Sequence, residues 1–188
     1  MDELVLARHG ESEASAQRMV GGDAPLTERG RAQARELGER LAGFPAEICL
    51  TSAARRARET AELALAGREI PLEIVRDFGD IGFGAFEGRP LADYRDWVSA
   101  HAPTVPVESG ESRVETLRRF ARAFRGLLAR SEHHVLVIAH GLTIRSLLDE
   151  RPRPIVAGAP YGEAVRLTRR ELEVAVERLE RWCEAPVW

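Results

Sequence analysis

The sequence predicts an α/β fold in which crossover helices connect the strands of a mostly parallel sheet. Short apolar runs typical of buried strands alternate along the chain with stretches of helical period. One run, residues 135–139, is β-branched and uninterrupted, as expected of a central parallel strand. No linker, repeat or low-complexity tract breaks the alternation, so we expect one domain spanning residues 1–188.

The first part of the chain is predicted to contain three strands and two helices. The strands cover residues 4–7, 48–51 and 70–75. Thr27 can cap a helix that runs to about Ala42, with apolar residues on one face and charges opposite. A second helix is predicted from about residue 53 to residue 66.

The second part begins with a region rich in glycine and proline, residues 76–110, predicted to be mostly loop with a short helix near residues 91–100. Residues 112–115 form a capping box that starts a helix ending near Arg130. Another helix is predicted at about residues 143–148. After it, Val165 and Leu167 and then a second alternating run predict two final half-buried strands; the second run is Leu172, Val174 and Val176.

Composition excludes several classes of function. A net charge of -3 and a pI near 6.0 give no general attraction for nucleic acid or anionic lipid. From the sequence we expect no secretory leader and no membrane-spanning stretch. With only two distant cysteines, we also expect a cytoplasmic protein without disulfides. All 27 basic residues are arginine, which excludes any mechanism that uses lysine.

Two histidines are the strongest candidates for function because of their positions. His9 follows the first strand by one arginine, His140 directly follows residues 135–139, and a glycine succeeds each of them. Parallel strands that end in this way place both imidazoles at the carboxyl edge of the sheet, where ligands bind. Arg8 and Arg56 are placed to point at the same crevice, and guanidinium groups match phosphate oxygens. A single histidine or arginine is more often structural, but together these residues favour function.

The sequence resembles the histidine phosphatase superfamily, which includes cofactor-dependent phosphoglycerate mutases and many small phosphatases. Arg8-His9-Gly10-Glu11-Ser12 is similar to the signature of that family. Five further blocks follow in the family's order, at residues 25–34, 52–61, 83–88, 110–112 and 139–145. The resemblance covers most of the chain up to about residue 148. It implies a three-layer α/β/α, phosphoglycerate mutase-like fold.

The resemblance also implies a mechanism without metal or other cofactor. His9 would be the nucleophile that accepts the phosphoryl group, and His140 would stabilise charge beside it. Substrate contacts would come from four further positions, namely Arg8, Ser15, Arg56 and Gly141. Electrostatic stabilisation of the equatorial oxygens is the main source of catalysis in such a transfer.

Two positions depart from the family pattern. Asp80 stands where the family has a glutamate that donates a proton to the leaving group, and aspartate is shorter by one carbon. Glu87 and Glu11 therefore remain alternative acids. Ser15 stands where many members have an asparagine that contacts the phosphoryl group; serine can donate, but over a shorter reach.

Phosphatase activity on small phosphomonoesters is the favoured function. The mutases that resemble this chain are longer between the blocks that end at Gly88 and begin at Gly110, which disfavours a mutase here. The third hypothesis is a non-catalytic phosphate-binding domain of the same fold. Specificity is expected from residues 76–110 and 160–163, and the protein is expected to be a monomer or homodimer.

Overall fold

A five-stranded sheet forms the centre of the molecule. The computed structural model describes residues 1–155 and 158–188. In spatial order β3-β2-β4-β1-β5, the sheet consists of β1 (Glu3–Arg8), β2 (Ile48–Thr51), β3 (Leu72–Ile74), β4 (His134–Ala139) and β5 (Ala164–Thr168). The first four strands are parallel, and β5 runs antiparallel to β1. The prediction of a mostly parallel sheet is therefore confirmed.

Helices cover both faces of the sheet. In chain order they are α1 (Glu13–Ala16), α2 (Glu28–Arg40), α3 (Arg55–Ala64), α4 (Leu91–Ala100), α5 (Arg113–Leu128), α6 (Gly141–Leu148) and α7 (Arg169–Glu184). Helices α2 and α3 pack on one face against Val5 and Ala7 of β1. On the other face α5, α6 and α7 pack against Leu4 and Leu6. Alternate residues of the central strands thus enter two separate cores, and the three-layer arrangement is confirmed.

Local sequence signals set several helix starts. Thr27 accepts a hydrogen bond from the Gly30 amide at 3.0 Å, so it caps α2 as predicted. At α5 the Ser112 hydroxyl accepts from the Glu115 amide at 3.2 Å, and the Glu115 carboxylate accepts from the Ser112 amide at 2.7 Å. A cap of this kind stabilises a helix by about 1 kcal/mol. The predicted short helix at residues 91–100 is also present.

The prediction of two final strands is wrong in its second half. Residues 164–168 form β5, but Leu172, Val174 and Val176 lie in α7. Thr168 and Glu171 form a reciprocal capping box that starts a helix at once. The buried residues that follow are spaced by three or four positions, whereas Val174 is exposed, so the helical period outweighs the short alternation.

The structure also differs at some predicted boundaries. α3 begins at Arg55, β3 is only three residues long, and α6 begins at Gly141, directly after His140. Within the described residues, no helix combines the length and the apolar character needed to cross a membrane.

Candidate active site

His9 and His140 lie side by side at the carboxyl edge of the sheet. Arg8 pairs in register with Ala139, so the residues that follow leave adjacent parallel strands together. The two imidazole rings are 5.1 Å apart between centroids, and both side chains are buried. The sequence prediction that these two histidines share one edge is confirmed.

The glycine after His9 is required by a close approach of backbone. A Cβ atom on Gly10 would lie 2.4 Å from the carbonyl oxygen of Gly30 in the first turn of α2. The Gly10 amide donates to the Thr60 hydroxyl of α3 at 3.0 Å. The chain after β1 is thus held between two helices, and this fixes the position of the His9 ring. The sequence pattern indicated a glycine turn but not these partners.

Hydrogen bonding defines the tautomer of His9. Its Nδ1 is 2.7 Å from the Gly10 carbonyl oxygen, which can only accept, so Nδ1 carries the proton. The lone pair is then on Nε2, which lies 3.3 Å from Nε of Arg56. A neutral imidazole with a free Nε2 is the form that can attack an electrophile.

Arg56 lies at the centre of the site. It projects from the first turn of α3, and its side chain is buried. Its guanidinium group donates to the Gly22 carbonyl at 3.0 Å and lies 3.4 Å from Nδ1 of His140 and 3.5 Å from Oδ2 of Asp80. Three predicted site residues, His9, His140 and Asp80, therefore meet at Arg56.

A serine that the sequence reasoning gave no role orients His140. Ser52 directly follows β2, and its hydroxyl lies 2.8 Å from Nε2 of His140. Because the Arg56 guanidinium can only donate to Nδ1, the His140 proton belongs on Nε2, where it is donated to Ser52. The sequence did contain a signal for this role, because Ser52 is a polar residue at the end of a strand that lies next to β4 in the parallel sheet.

Arg8 is held by an aromatic side chain from the far end of the chain. Its guanidinium carbon lies 3.7 Å from the centre of the Tyr161 ring, and the group donates to the Ala159 carbonyl. A Cβ atom on Gly141 would lie 3.4 Å from the guanidinium of Arg8. The start of α6 therefore lies against this arginine, and a Cβ atom at Gly141 would be in ordinary van der Waals contact with it. Tyr161 belongs to the segment named for specificity, but its stacking on Arg8 was not predicted.

Only one of the three candidate acids lies among these groups. Asp80 Oδ2 is 3.6 Å from Nδ1 of His140, and Oδ1 accepts from the Ile81 amide at 3.0 Å. The Glu87 carboxylate instead accepts from the Gly22 amide at 2.8 Å, and Glu11 accepts from the Thr27 hydroxyl at 3.0 Å.

An arginine and a glutamate hold the loop that carries Asp80. Arg119 of α5 donates to three backbone carbonyls, those of Asp77, Gly79 and Asp80, at 2.8–2.9 Å. The same guanidinium forms a bidentate pair with Glu111, whose carboxylate also accepts from the Gly82 amide at 2.8 Å. Bonds on both sides of Asp80 therefore fix the loop. The resemblance included the Gly110-Glu111-Ser112 block, but its pairing with Arg119 could not be read from the sequence.

Ser15 lines the cavity but uses its hydroxyl locally. It donates to the Ser12 carbonyl at 2.9 Å and accepts from the Ser12 amide at 2.9 Å, within the capping box of α1. A contact with substrate would require this hydroxyl to give up its donation to Ser12.

Burial and positive neighbours keep both histidines neutral. The pKa of His9 lies well below its ordinary value, first because the ring is buried and then because a protonated His9 would repel a protonated His140. Arg56 and Arg8 also disfavour a further positive charge there. The pKa of His140 is also well below its ordinary value, again through burial first and then through Arg56, Arg8 and Arg119. The unprotonated His9 Nε2 is therefore maintained at neutral and mildly acidic pH.

This depression predicts how the histidines titrate. We expect ¹⁵N NMR of histidine-labelled protein to show neutral His9 and His140 at about pH 6, where an ordinary histidine is mostly charged. At that pH these two histidines take up protons in the unfolded chain but not in the folded protein. The stability these neutral rings contribute is therefore present above about pH 6.5 and is lost as the pH falls towards their depressed values. A charged imidazole at either position between about pH 6 and 7 would contradict this.

The site opens into a cavity of about 690 Å³. Arg8, His9, Arg56 and Asp80 are among the residues that line it. Its walls come from the segment after β1, the loop between β3 and α4, the start of α4 and the chain before β5. They include Ser15, Arg18, Met19, Val20, Phe83, Leu91, Arg95, Asp96, Ile155 and Tyr161. This volume is in the range of sites that enclose an entire small molecule.

Comparison with known proteins decides the family. The sequence profile described as "Histidine phosphatase superfamily (branch 1)" matches residues 4–153. The chain belongs to the histidine phosphatase superfamily. This histidine phosphatase is 31% identical to the uncharacterized phosphatase PhoE of Bacillus subtilis over 193 residues, with 97% of this chain and 92% of PhoE covered.

Relatives with other names are also similar to this histidine phosphatase. A 2,3-bisphosphoglycerate-dependent phosphoglycerate mutase of Methylobacterium sp. is 35% identical over 198 residues, covering 94% of this chain and 95% of the mutase. The crystal structure of the alpha-ribazole phosphatase from Shigella flexneri superposes with a TM-score of 0.75 at 26% identity, covering 87% and 89% of the two chains. The resemblance stated from the sequence is thereby confirmed, for both the family and the fold.

Proposed function

We propose that the protein is a phosphatase that hydrolyses small phosphomonoesters through a phosphohistidine on His9. The observation that carries the proposal is the state of that ring, with Nδ1 bonded to the Gly10 carbonyl and Nε2 facing Arg56. Nε of Arg8 supports it, because this atom is buried and has no hydrogen-bond partner among the described residues. A phosphate oxygen is the acceptor that such a guanidinium group favours.

In the first chemical step, His9 Nε2 attacks phosphorus. The N–P bond forms as the bond to the leaving oxygen breaks, and Arg8, Arg56 and His140 stabilise the charge on the three remaining oxygens. Arg56 now donates weakly to His9 Nε2, over 3.3 Å, and a phosphate oxygen would take over that donor. Binding of substrate thereby exposes the nucleophile.

In the second step, water attacks the phosphohistidine and inorganic phosphate leaves. Asp80 is proposed as the group that first gives a proton to the leaving alkoxide and then removes one from the attacking water. It is the one candidate carboxylate within 3.6 Å of His140. The proposed reaction involves the protein's own side chains and water, with no metal or other cofactor.

The proposal also covers the domain organisation, the compartment, the oligomeric state and the substrate classes to test. We take residues 1–188 as one catalytic domain of a cytoplasmic protein, a monomer or homodimer that binds neither nucleic acid nor membrane. The solved relative named as an alpha-ribazole phosphatase makes nucleotide-like phosphomonoesters one substrate class to test. Sugar phosphates form another.

A phosphoglycerate mutase is the second candidate, because a mutase from Methylobacterium sp. is similar over nearly the entire chain. The test is a panel that measures phosphate release from sugar phosphates, nucleoside monophosphates, alpha-ribazole phosphate and 4-nitrophenyl phosphate, beside a mutase assay. Steady phosphate release supports the phosphatase. Isomerisation of 3-phosphoglycerate that 2,3-bisphosphoglycerate stimulates, with slow phosphate release, would replace it by the mutase, and no turnover of any ester would favour a binding domain.

A further inference from the structure

Two of the arginines that line the active-site cavity have no part in the proposed chemistry. We propose that Arg18 and Arg95 form a second anion subsite, which binds a negatively charged group on the leaving-group side of the substrate. This inference rests on the proposed phosphatase function and names the substrate class more closely. Both residues line the same cavity as His9.

The backbone at Arg18 is strained but supported by hydrogen bonds, and its side chain is exposed. Its φ angle is 57°, in the left-handed region that a residue with a Cβ atom seldom adopts. Its carbonyl accepts from the Leu91 amide at 2.7 Å, and the Val20 amide donates to the Arg89 carbonyl at 2.9 Å. The segment after α1 is therefore tied to the start of α4. Strain of this kind is retained where the surroundings enforce it, commonly in binding sites.

Arg95 comes from the same junction. It lies one helical turn after Leu91 in α4, whose amide donates to the Arg18 carbonyl, and both arginines line the wall of the cavity. Across the described parts of the chain, neither guanidinium has a carboxylate within 4.0 Å, whereas the neighbouring Arg89 pairs with Asp93 at 2.8 Å. The wall also contains Asp96, so its two positive charges outnumber one negative charge.

The size and lining of the cavity indicate the rest of the substrate. A phosphoryl group at His9 would occupy only a small part of about 690 Å³. The cavity is also lined by apolar side chains, among them Met19, Phe83 and Ile155. The substrate class that fits is a phosphomonoester whose leaving group has an apolar spacer and a distal anionic group, a carboxylate or a second phosphoryl group.

A matched pair of esters tests the subsite. In 4-(carboxymethyl)phenyl phosphate the distal group is an anion, and in its primary amide the same shape is neutral. We expect the wild-type protein to hydrolyse the acid with a kcat/KM about tenfold above that of the amide, because two arginines attract the charge. The preference should shrink as salt is raised from about 0.01 M to about 0.15 M.

Variants test whether Arg18 and Arg95 cause the preference for the acid over the amide. Arg18→Gln combined with Arg95→Gln should abolish the preference for the acid and leave hydrolysis of the amide unchanged, which also shows that the variant folds. Arg89→Gln, an exposed arginine of the same region that does not line the cavity, is the matched control and should keep the preference.

The outcomes separate this inference from the function on which it rests. Equal hydrolysis of acid and amide by the wild-type protein, or a preference that survives the double substitution, would overturn the subsite and leave the phosphatase intact. Hydrolysis of neither ester, nor of any ester in the panel, would overturn the phosphatase and the subsite together.

Discussion

Replacement of His9 by alanine is expected to lower kcat for every phosphomonoester by about 10⁴-fold or more, because no other group can form the covalent intermediate. In the folded protein Nε2 of this ring is the unprotonated nitrogen that faces the cavity. The measurement is release of inorganic phosphate under saturating substrate. Full turnover by the variant would contradict the assigned nucleophile.

Two controls accompany this variant. His133 is an exposed histidine that pairs with Asp2 at 2.8 Å and is not among the residues that line the cavity, so His133→Ala should retain activity. Since His9 is buried, thermal unfolding must show that His9→Ala still folds. Arg8, Arg56 and His140 remain in the variant, so we expect it to bind inorganic phosphate.

Replacement of Asp80 by asparagine is expected to lower kcat for alkyl phosphates by about 10²- to 10³-fold, because the alkoxide then leaves without a proton. The loss should be much smaller for 4-nitrophenyl phosphate, whose phenolate is weakly basic. The ratio between the two losses is the measurement. Asparagine keeps the size of the side chain and an oxygen that can accept from the Ile81 amide.

The other two carboxylates provide the comparison. Glu87→Gln and Glu11→Gln retain their oxygen acceptors for the Gly22 amide and the Thr27 hydroxyl, so both variants should fold. We expect neither to change the dependence on the leaving group. If Glu87→Gln shows that dependence and Asp80→Asn does not, the proton donor is Glu87.

The sequence was most informative where the spacing of apolar residues along the chain determines the secondary structure. Apolar runs predicted β1, β2 and β4, and the glycine after each strand-end histidine predicted the shared edge at which His9 and His140 meet. The error at residues 172–176 has a local cause. Three apolar residues alternate there, but the cap formed by Thr168 and Glu171 and the longer apolar stripe determine a helix.

Contacts between distant segments could not be predicted in this way. Ser52 follows β2 and meets His140, which follows the neighbouring strand β4. Tyr161 stacks on Arg8, and Arg119 binds three carbonyls of the Asp80 loop. Each contact joins residues about 40 or more positions apart, and no local pattern specifies such a partner. The polar residues were visible in the sequence, but their pairing depends on how the helices pack on the sheet.

The most direct test of the account is to trap the phosphoenzyme. Protein mixed with saturating substrate is quenched in alkaline denaturant and digested with trypsin, which releases residues 9–18 as a peptide with His9 as its one histidine. We predict a phosphoryl group on this peptide that is stable in base and lost in acid, as a phosphohistidine is. Continuing phosphate release with this peptide unmodified, or an acid-stable group on one of its serines, would contradict the proposed mechanism.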